Sequence, residues 1–223
     1  VPVYELGIDE HGESFYTMKF VKGITLDEVL RGLRHGRREM LEKYPLGTLL
    51  TVFQKICDAV AFAHSKGVVH RDLKPENVMV GEFGAVLVMD WGIARSAARN
   101  DERVIAGTRG YMAPEQLRGE AVDGRADIYA LGAVLAFLIG SERSRALDAI
   151  VARAMASDPN DRYGDARELA EDVLRFLDGE PVSAHRENVF ERAARFLTRH
   201  RALVAMLLAY LLMRTIILFW ARL

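Results

Sequence analysis

Cysteine is nearly absent: Cys57 is the single thiol in 223 residues. No intramolecular disulfide can form, and a reducing compartment is the natural setting. Cys57 falls on an apolar helical pattern, so it is expected to pack in a core rather than react. Net charge is nearly absent too, with 30 Lys and Arg against 31 Asp and Glu. That balance gives no overall bias toward nucleic acid or any other polyanion. No secretory signal precedes the first strand pattern, and no internal repeat is found. Half the residues are hydrophobic and 27% are charged, an ordinary globular composition with room for one domain and an appendage.

Residues 1–8 and 14–21 alternate in the manner of strands around Asp9-Glu10-His11-Gly12, a hairpin-type turn. Thr25 and Asp27 open a short helix ending near Gly32, with Leu26, Val29 and Leu30 on one face. A longer helix is expected from Leu46 to Lys66, where Leu49, Phe53, Ile56, Val60 and Ala61 keep a period near 3.6 and Gly67 supplies a C-terminal cap. Short strands follow at 78–80 and 86–89, and residues 90–115 lack periodicity and read as loop. Helical patterns resume at 125–139, 145–155 and 165–177.

Between the long helix and the paired strands stands His70-Arg71-Asp72-Leu73-Lys74-Pro75-Glu76-Asn77, and Asp90-Trp91-Gly92 and Ala113-Pro114-Glu115 come after it. In this order the three motifs resemble the catalytic loop, metal-binding triplet and activation-segment end of the eukaryotic-like Ser/Thr protein kinases. The resemblance covers roughly residues 1–178. It implies an α+β protein-kinase-like fold, mostly the helical C-terminal lobe with the last small-lobe strands. The small-lobe remnant and hinge take 1–21, the C-terminal lobe 22–178.

The resemblance also implies roles. Asp72 is the base that orients and accepts the substrate hydroxyl proton, and Lys74 contacts the γ-phosphate of ATP. Asn77 and Asp90 are the Mg²⁺ ligands, oxygen donors suited to a hard cation. Met18 is the gatekeeper, Lys19 to Val21 form the hinge against adenine, and Met79 lies beneath its ring. Trp91 stands where most of the family carries Phe and still fills that site with an aromatic ring. Thr108 matches the threonine of Ser/Thr-specific members, Asp127 braces the catalytic loop, and Glu115 pairs with Arg162. Arg71 raises the expectation that Asp101 or Glu102 stands in for an activation-loop phosphate, since Ser96 is the one hydroxyl between Gly92 and Gly107.

Two family features are missing. There is no glycine-rich phosphate loop followed by a strand lysine; these and the helix glutamate are expected upstream of Val1. The span from Asp127 to Arg162 is short, where the family usually inserts an extra helix and loop of the substrate-docking shelf.

After Asp178-Gly179-Glu180-Pro181 the composition changes. Residues 179–201 form a basic juxtamembrane segment with Arg186, Arg192, Arg195, Arg199 and Arg201, and 202–221 are apolar except for Arg214 and Thr215. Twenty residues at about 1.5 Å each match a bilayer core of about 30 Å. Ten Leu, Ile, Val and Phe residues contribute roughly −3 to −6 kcal/mol against at most about 3.5 kcal/mol for Arg214. A C-terminal transmembrane helix is expected, with the basic run and the catalytic domain on the cytoplasmic side. That arrangement looks like the bacterial receptor-type Ser/Thr kinases: ATP and Mg²⁺ as cofactors, Ser/Thr proteins as substrates, a membrane contact, no nucleic acid, and room for a kinase dimer. The competing readings are a membrane-tethered pseudokinase or truncated kinase-fold scaffold without catalysis, and a small-molecule phosphotransferase, which Lys74 and the 108–115 segment disfavour.

Overall fold

The computed structural model describes residues 3–8, 10–18, 20–91, 95–96, 107–140, 142, 144–199 and 201–220. The chain opens with an antiparallel hairpin of β1 (Val3–Ile8) and β2 (Ser14–Met18), in which Leu6 faces Tyr16 and Ile8 faces Ser14. The second strand ends at Met18, short of the expected Val21.

β3 (Ile24–Thr25) runs straight into α1 (Leu26–Arg34). Thr25 sets the start: its hydroxyl accepts from the Glu28 amide at 3.1 Å, and the Glu28 carboxylate accepts from the Thr25 amide at 2.8 Å. This reciprocal box satisfies two amides that a helix start leaves without partners. α2 (Arg38–Lys43) follows and is too short for a periodic signal.

α3 (Leu46–Ser65) is the axis of the core. Leu49, Leu50, Val52, Phe53, Ile56, Cys57, Val60 and Ala61 are buried along it, and it packs on α5 (Gly124–Ile139) and α7 (Ala166–Leu177). Each fully buried Leu or Phe here contributes about 1.5–3 kcal/mol. Cys57 lies inside this core as expected, and burial, with Asp58 nearby, pushes its thiol well above the ordinary range. Gly67 at φ +71° takes the left-handed position beyond the helix end, its amide reaching the His64 carbonyl at 2.9 Å.

β4 (Val68–Val69) leads into the loop that begins at His70, and β5 (Val78–Val80) and β6 (Val86–Val88) close the β3-β5-β6 sheet. β4 pairs with β7 (Arg95–Ser96), and α4 (Pro114–Leu117) starts on Pro114, so the stretch 90–115 is not loop throughout. Both pieces are too short to show a period.

α5 is buried on nearly every side, from Ala126 and Asp127 to Leu138 and Ile139, which is why its sequence reads as apolar rather than amphipathic. α6 (Arg145–Ala154) crosses it, capped by the Ser144 hydroxyl, and Asp165 caps α7 through the Arg167 and Glu168 amides. Past α7 the chain folds back. Val182 is buried, and the Asp172 carboxylate accepts from Ser183 N at 2.7 Å, Ala184 N at 3.0 Å and the Tyr163 hydroxyl at 2.9 Å.

α8 (Val189–Arg199) makes a helix of half the basic segment, tied to α6 by an Arg145–Glu191 ion pair at 2.9 Å. α9 (Arg201–Trp220) is a 20-residue helix on which Leu203, Met206, Leu207, Leu211, Ile216 and Ile217 are exposed. Among the described residues α3 is the one helix long and apolar enough to cross a membrane, and it is the core helix; the apolar stretch described on α9 is the shorter Leu203–Ile217.

Candidate active site

The site is built on the loop between β4 and β5. Its first turn is held from beneath by α5, where the buried Asp127 carboxylate accepts from His70 N and Arg71 N, both at 2.8 Å. Arg71 sits at φ +70°. That conformation costs a non-glycine residue about 1–2 kcal/mol, which two bonds to a buried carboxylate offset. Asp127 also receives His64 Nε2 at 2.8 Å. The sequence pointed to Asp127 but not to His64, whose place at the end of α3 looks like ordinary helix surface.

His70 is fully buried. Its Nδ1 faces the Asp72 amide at 3.3 Å and its Nε2 the Met89 carbonyl at 3.0 Å. An amide can only donate and a carbonyl only accept, so the proton sits on Nε2. The Trp91 ring lies 4.5 Å from the His70 ring, tilted by 54°, with its Nε1 donating to the Val88 carbonyl. Trp91 thus fills the packing position expected of it.

These supports converge on Asp72, which is 7% exposed. Lys74 Nζ lies 2.9 Å from its Oδ2, and the Thr108 hydroxyl donates to Oδ1 at 2.8 Å while accepting from Lys74 Nζ at 2.7 Å. A carboxylate and an ammonium therefore seat one aliphatic hydroxyl between them. Asn77, at the end of a 3-10 turn started by Pro75, donates Nδ2 to the Asp72 carbonyl at 2.8 Å and lies 3.3 Å from Oδ2. Its Oδ1 has no partner among the described residues. Gly107, at φ +132°, lets the Thr108 segment approach: a Cβ there would stand 3.0 Å from the Arg71 carbonyl oxygen. The same oxygen accepts from Gln116 Nε2 at 2.9 Å, while Gln116 Oε1 accepts from the Ala113 amide at 3.0 Å. Gln116, beside the Ala113 motif, went unremarked in the sequence.

Asp90 is exposed at φ +58°, and the Met89 amide before it bonds to the Asn77 carbonyl at 2.8 Å. Asn77 and Asp90 thus leave adjacent strands at one end of the hairpin. Met79 pairs with Thr25 and Leu87 and is half-buried, whereas Val78 and Val80 on the opposite face are buried in the core. Val21 is half-buried just before β3, and Met18 ends β2. Lys19, Gly92, Asp101 and Glu102 lie outside the described residues, and Ser96 lies in β7 opposite Val68.

Away from the carboxylate, Arg162 and Glu115 make a two-pronged buried pair at 2.7 and 2.8 Å, and Arg162 further donates to the Ala156 and Arg125 carbonyls. This pair fixes the end of the 107–117 segment to the helical core.

Residues 6–174 match the family model of the protein kinase domain. The serine/threonine-protein kinase PknD of Chlamydia felis is 31% identical over 232 residues, covering 81% of this chain and 25% of the relative. The serine/threonine-protein kinase PknB of Mycobacterium tuberculosis (strain H37Rv) is 33% identical over 221 residues, covering 82% and 34%. The chain therefore spans about a quarter to a third of the length of these relatives.

Proposed function

Since the chain belongs to the protein kinase family, we propose that it carries the large lobe, hinge and membrane anchor of a Ser/Thr kinase that transfers phosphate from Mg-ATP to protein hydroxyls. The observation that carries this reading is the hydroxyl seated between Asp72 and Lys74. An acceptor serine or threonine meeting the same pair would have its proton directed at the Asp72 carboxylate. Lys74, 2.9 Å from Asp72, would offset negative charge growing on the transferred group.

The donor set suits magnesium. Asn77 Nδ2 is tied to the loop backbone, which leaves its carbonyl oxygen for a cation, and Asp90 adds an exposed carboxylate. Among the described residues no cluster of three or more His, Cys, Asp or Glu could hold a metal alone, so the ion would arrive with phosphate oxygens. Bound there, it would neutralise the phosphates. Met79, with Val21, Met18 and Lys19 of the hinge, would hold adenine on the face of β5 turned away from the core.

The second part of the reading concerns α9. Leu203, Met206, Leu207, Leu211, Leu212, Ile216 and Ile217 are exposed along this 20-residue helix, which suits a single membrane span of about 30 Å. The arginines of the preceding segment favour a catalytic lobe on the cytoplasmic side, because basic residues accumulate on that flank of a span. Deleting 202–223 from the membrane-bound protein should move it to the soluble fraction after alkaline extraction.

The decisive experiment uses the natural full-length protein and labelled ATP. Phosphoserine or phosphothreonine should form on a protein acceptor, and Asp72→Asn should slow it roughly 10²–10⁴-fold, the range for loss of a positioned base. Nucleotide binding without transfer would instead leave a membrane-tethered scaffold.

A further inference from the structure

The segment after α7 is fastened to the lobe before it reaches α9. Asp172 fixes Ser183 and Ala184, and α8 then begins in a reciprocal box. The Glu191 amide donates to Asn188 Oδ1 at 2.8 Å, and the Asn188 amide donates to Glu191 Oε2 at 3.0 Å. Glu191 also meets Arg145 of α6 at 2.9 Å and His185 at 3.1 Å. The Asn188 amide foremost, then His185 and Arg145, lower its carboxyl to about 2, so this tie to the lobe stays charged near neutral pH. Between Val182 and Arg199 the acids are Glu187 and Glu191, and Glu187 pairs with Arg195 at 2.6 Å.

The other side of α8 has the opposite character. At 3.6 residues per turn, Val189, Ala193 and Phe196 stand about 140–160° around the helix from Glu191. All three are exposed, Val189 at 78% and Phe196 at 60%. Arg192 flanks this stripe and Arg186 precedes the helix; both are exposed, and neither guanidinium has an ion-pair partner among the described residues. The acids are thus engaged toward the lobe, and an apolar stripe edged with arginine faces away from it. One residue separates the end of α8 from the start of α9.

We propose that α8 lies along an anionic bilayer surface, with Val189, Ala193 and Phe196 at the acyl boundary and Arg186 and Arg192 on lipid phosphates. The inference rests on the α9 span proposed above, which brings a bilayer within one residue of the end of α8. On such a helix the burial of apolar side chains and the attraction of anionic headgroups act together. A neutral apolar partner would leave the arginines without counter-charge, and a purely ionic one would leave the stripe in water. A second copy paired two-fold on this face would set arginine against arginine. Because Glu191 ties the far side of α8 to α6, contact at the surface would also hold the catalytic lobe close against the bilayer.

The test uses the natural full-length protein in vesicles, with a nitroxide on Ala193→Cys as its one accessible thiol; Cys57 is wholly buried and stays unlabelled. In vesicles containing phosphatidylglycerol the label should sit below the phosphates, read as access to oxygen over a water-soluble nickel chelate. In pure phosphatidylcholine it should lie in water. Arg192→Gln should lower the ratio of surface-bound to free α8 roughly fivefold, and Arg186→Glu with Arg192→Glu should abolish the contact. A label in water in both lipids overturns the inference and leaves the span standing. Equal burial in both also overturns it, since the contact is then apolar only. Spin–spin broadening that vanishes on dilution with unlabelled protein identifies a second copy, and the inference is wrong. If alkaline extraction strips the protein from the vesicles, the span reading fails instead. Flotation with phosphatidylglycerol vesicles at neutral pH then decides α8: binding lost in the double glutamate variant supports the contact, and binding that survives it, or no binding, overturns it.

Discussion

Replacing Asp127 should uncouple the catalytic loop from the helical core more than any other single change near the site. Its carboxylate is 1% exposed and accepts from His70 N, Arg71 N and His64 Nε2, each at 2.8 Å. In Asp127→Ala both backbone amides stay buried with no acceptor. At about 1–3 kcal/mol for each orphaned donor, the loss is about 2–6 kcal/mol, before any cost from Arg71 at φ +70° losing its restraint. Asp127→Asn keeps the shape and one accepting oxygen, but its amide nitrogen must face one of the donors, so it should cost about half as much. Urea unfolding in detergent, followed by Trp91 emission in a Trp220→Phe background, would measure both, because Trp91 lies against His70 at the affected turn. A matching blue or red shift of native emission would show the turn itself moving. A loss below about 1 kcal/mol in Asp127→Ala would refute the claim that these bonds hold the loop.

Arg162→Ala should cost about 3–5 kcal/mol, because it strands the Glu115 carboxylate and two carbonyls in the core; a double-mutant cycle with Glu115→Gln/Arg162→Met should recover much of it. Asp172 supplies a pH signature. Burial pushes its carboxyl up, but bonds from the Ser183 amide and hydroxyl, from Tyr163 and from the Ala184 amide outweigh that and hold it below its usual 3.8. A group lowered in the folded state stabilises above its unfolded value and loses that contribution as pH falls through the folded one. The wild-type stability curve should therefore drop below about pH 4 more steeply than that of Asp172→Asn, in thermal melts at stepped pH. Gly107→Ala places a Cβ 3.0 Å from the Arg71 carbonyl and the Met112 side chain, at φ +132°. At about 1–3 kcal/mol of strain thrown onto the Thr108 segment, phosphoryl transfer should fall roughly 5–150-fold with little change in overall unfolding.

The loop was legible because 70–77 is one contiguous stretch, and the roles proposed for its residues come from the resemblance of that stretch to the kinase motif. Helix starts at Thr25, Ser144 and Asp165 are likewise set by a side chain two or three residues from the amide it serves. What the pattern could not carry was closure between distant segments. Thr108 reaches Lys74 across 34 positions, Gln116 reaches Arg71 across 45, and His64 reaches Asp127 across 63. None of these pairs leaves a periodic trace. β4 and β7, two residues each, exist as strands only because the fold brings them together.

Two 20-residue helices mark the boundary between what was written and what was decided later. The sequence by itself determined that both α3 and α9 are helical, long and rich in apolar side chains. The hydrophobic effect has no direction, so that composition asks for burial without naming the partner. Tertiary structure decided the rest. α5 and α7 close over Leu50, Phe53, Ile56 and Val60, making α3 the centre of the lobe that presents Asp72, whereas α9 keeps Leu203, Leu207, Leu211 and Ile217 outward.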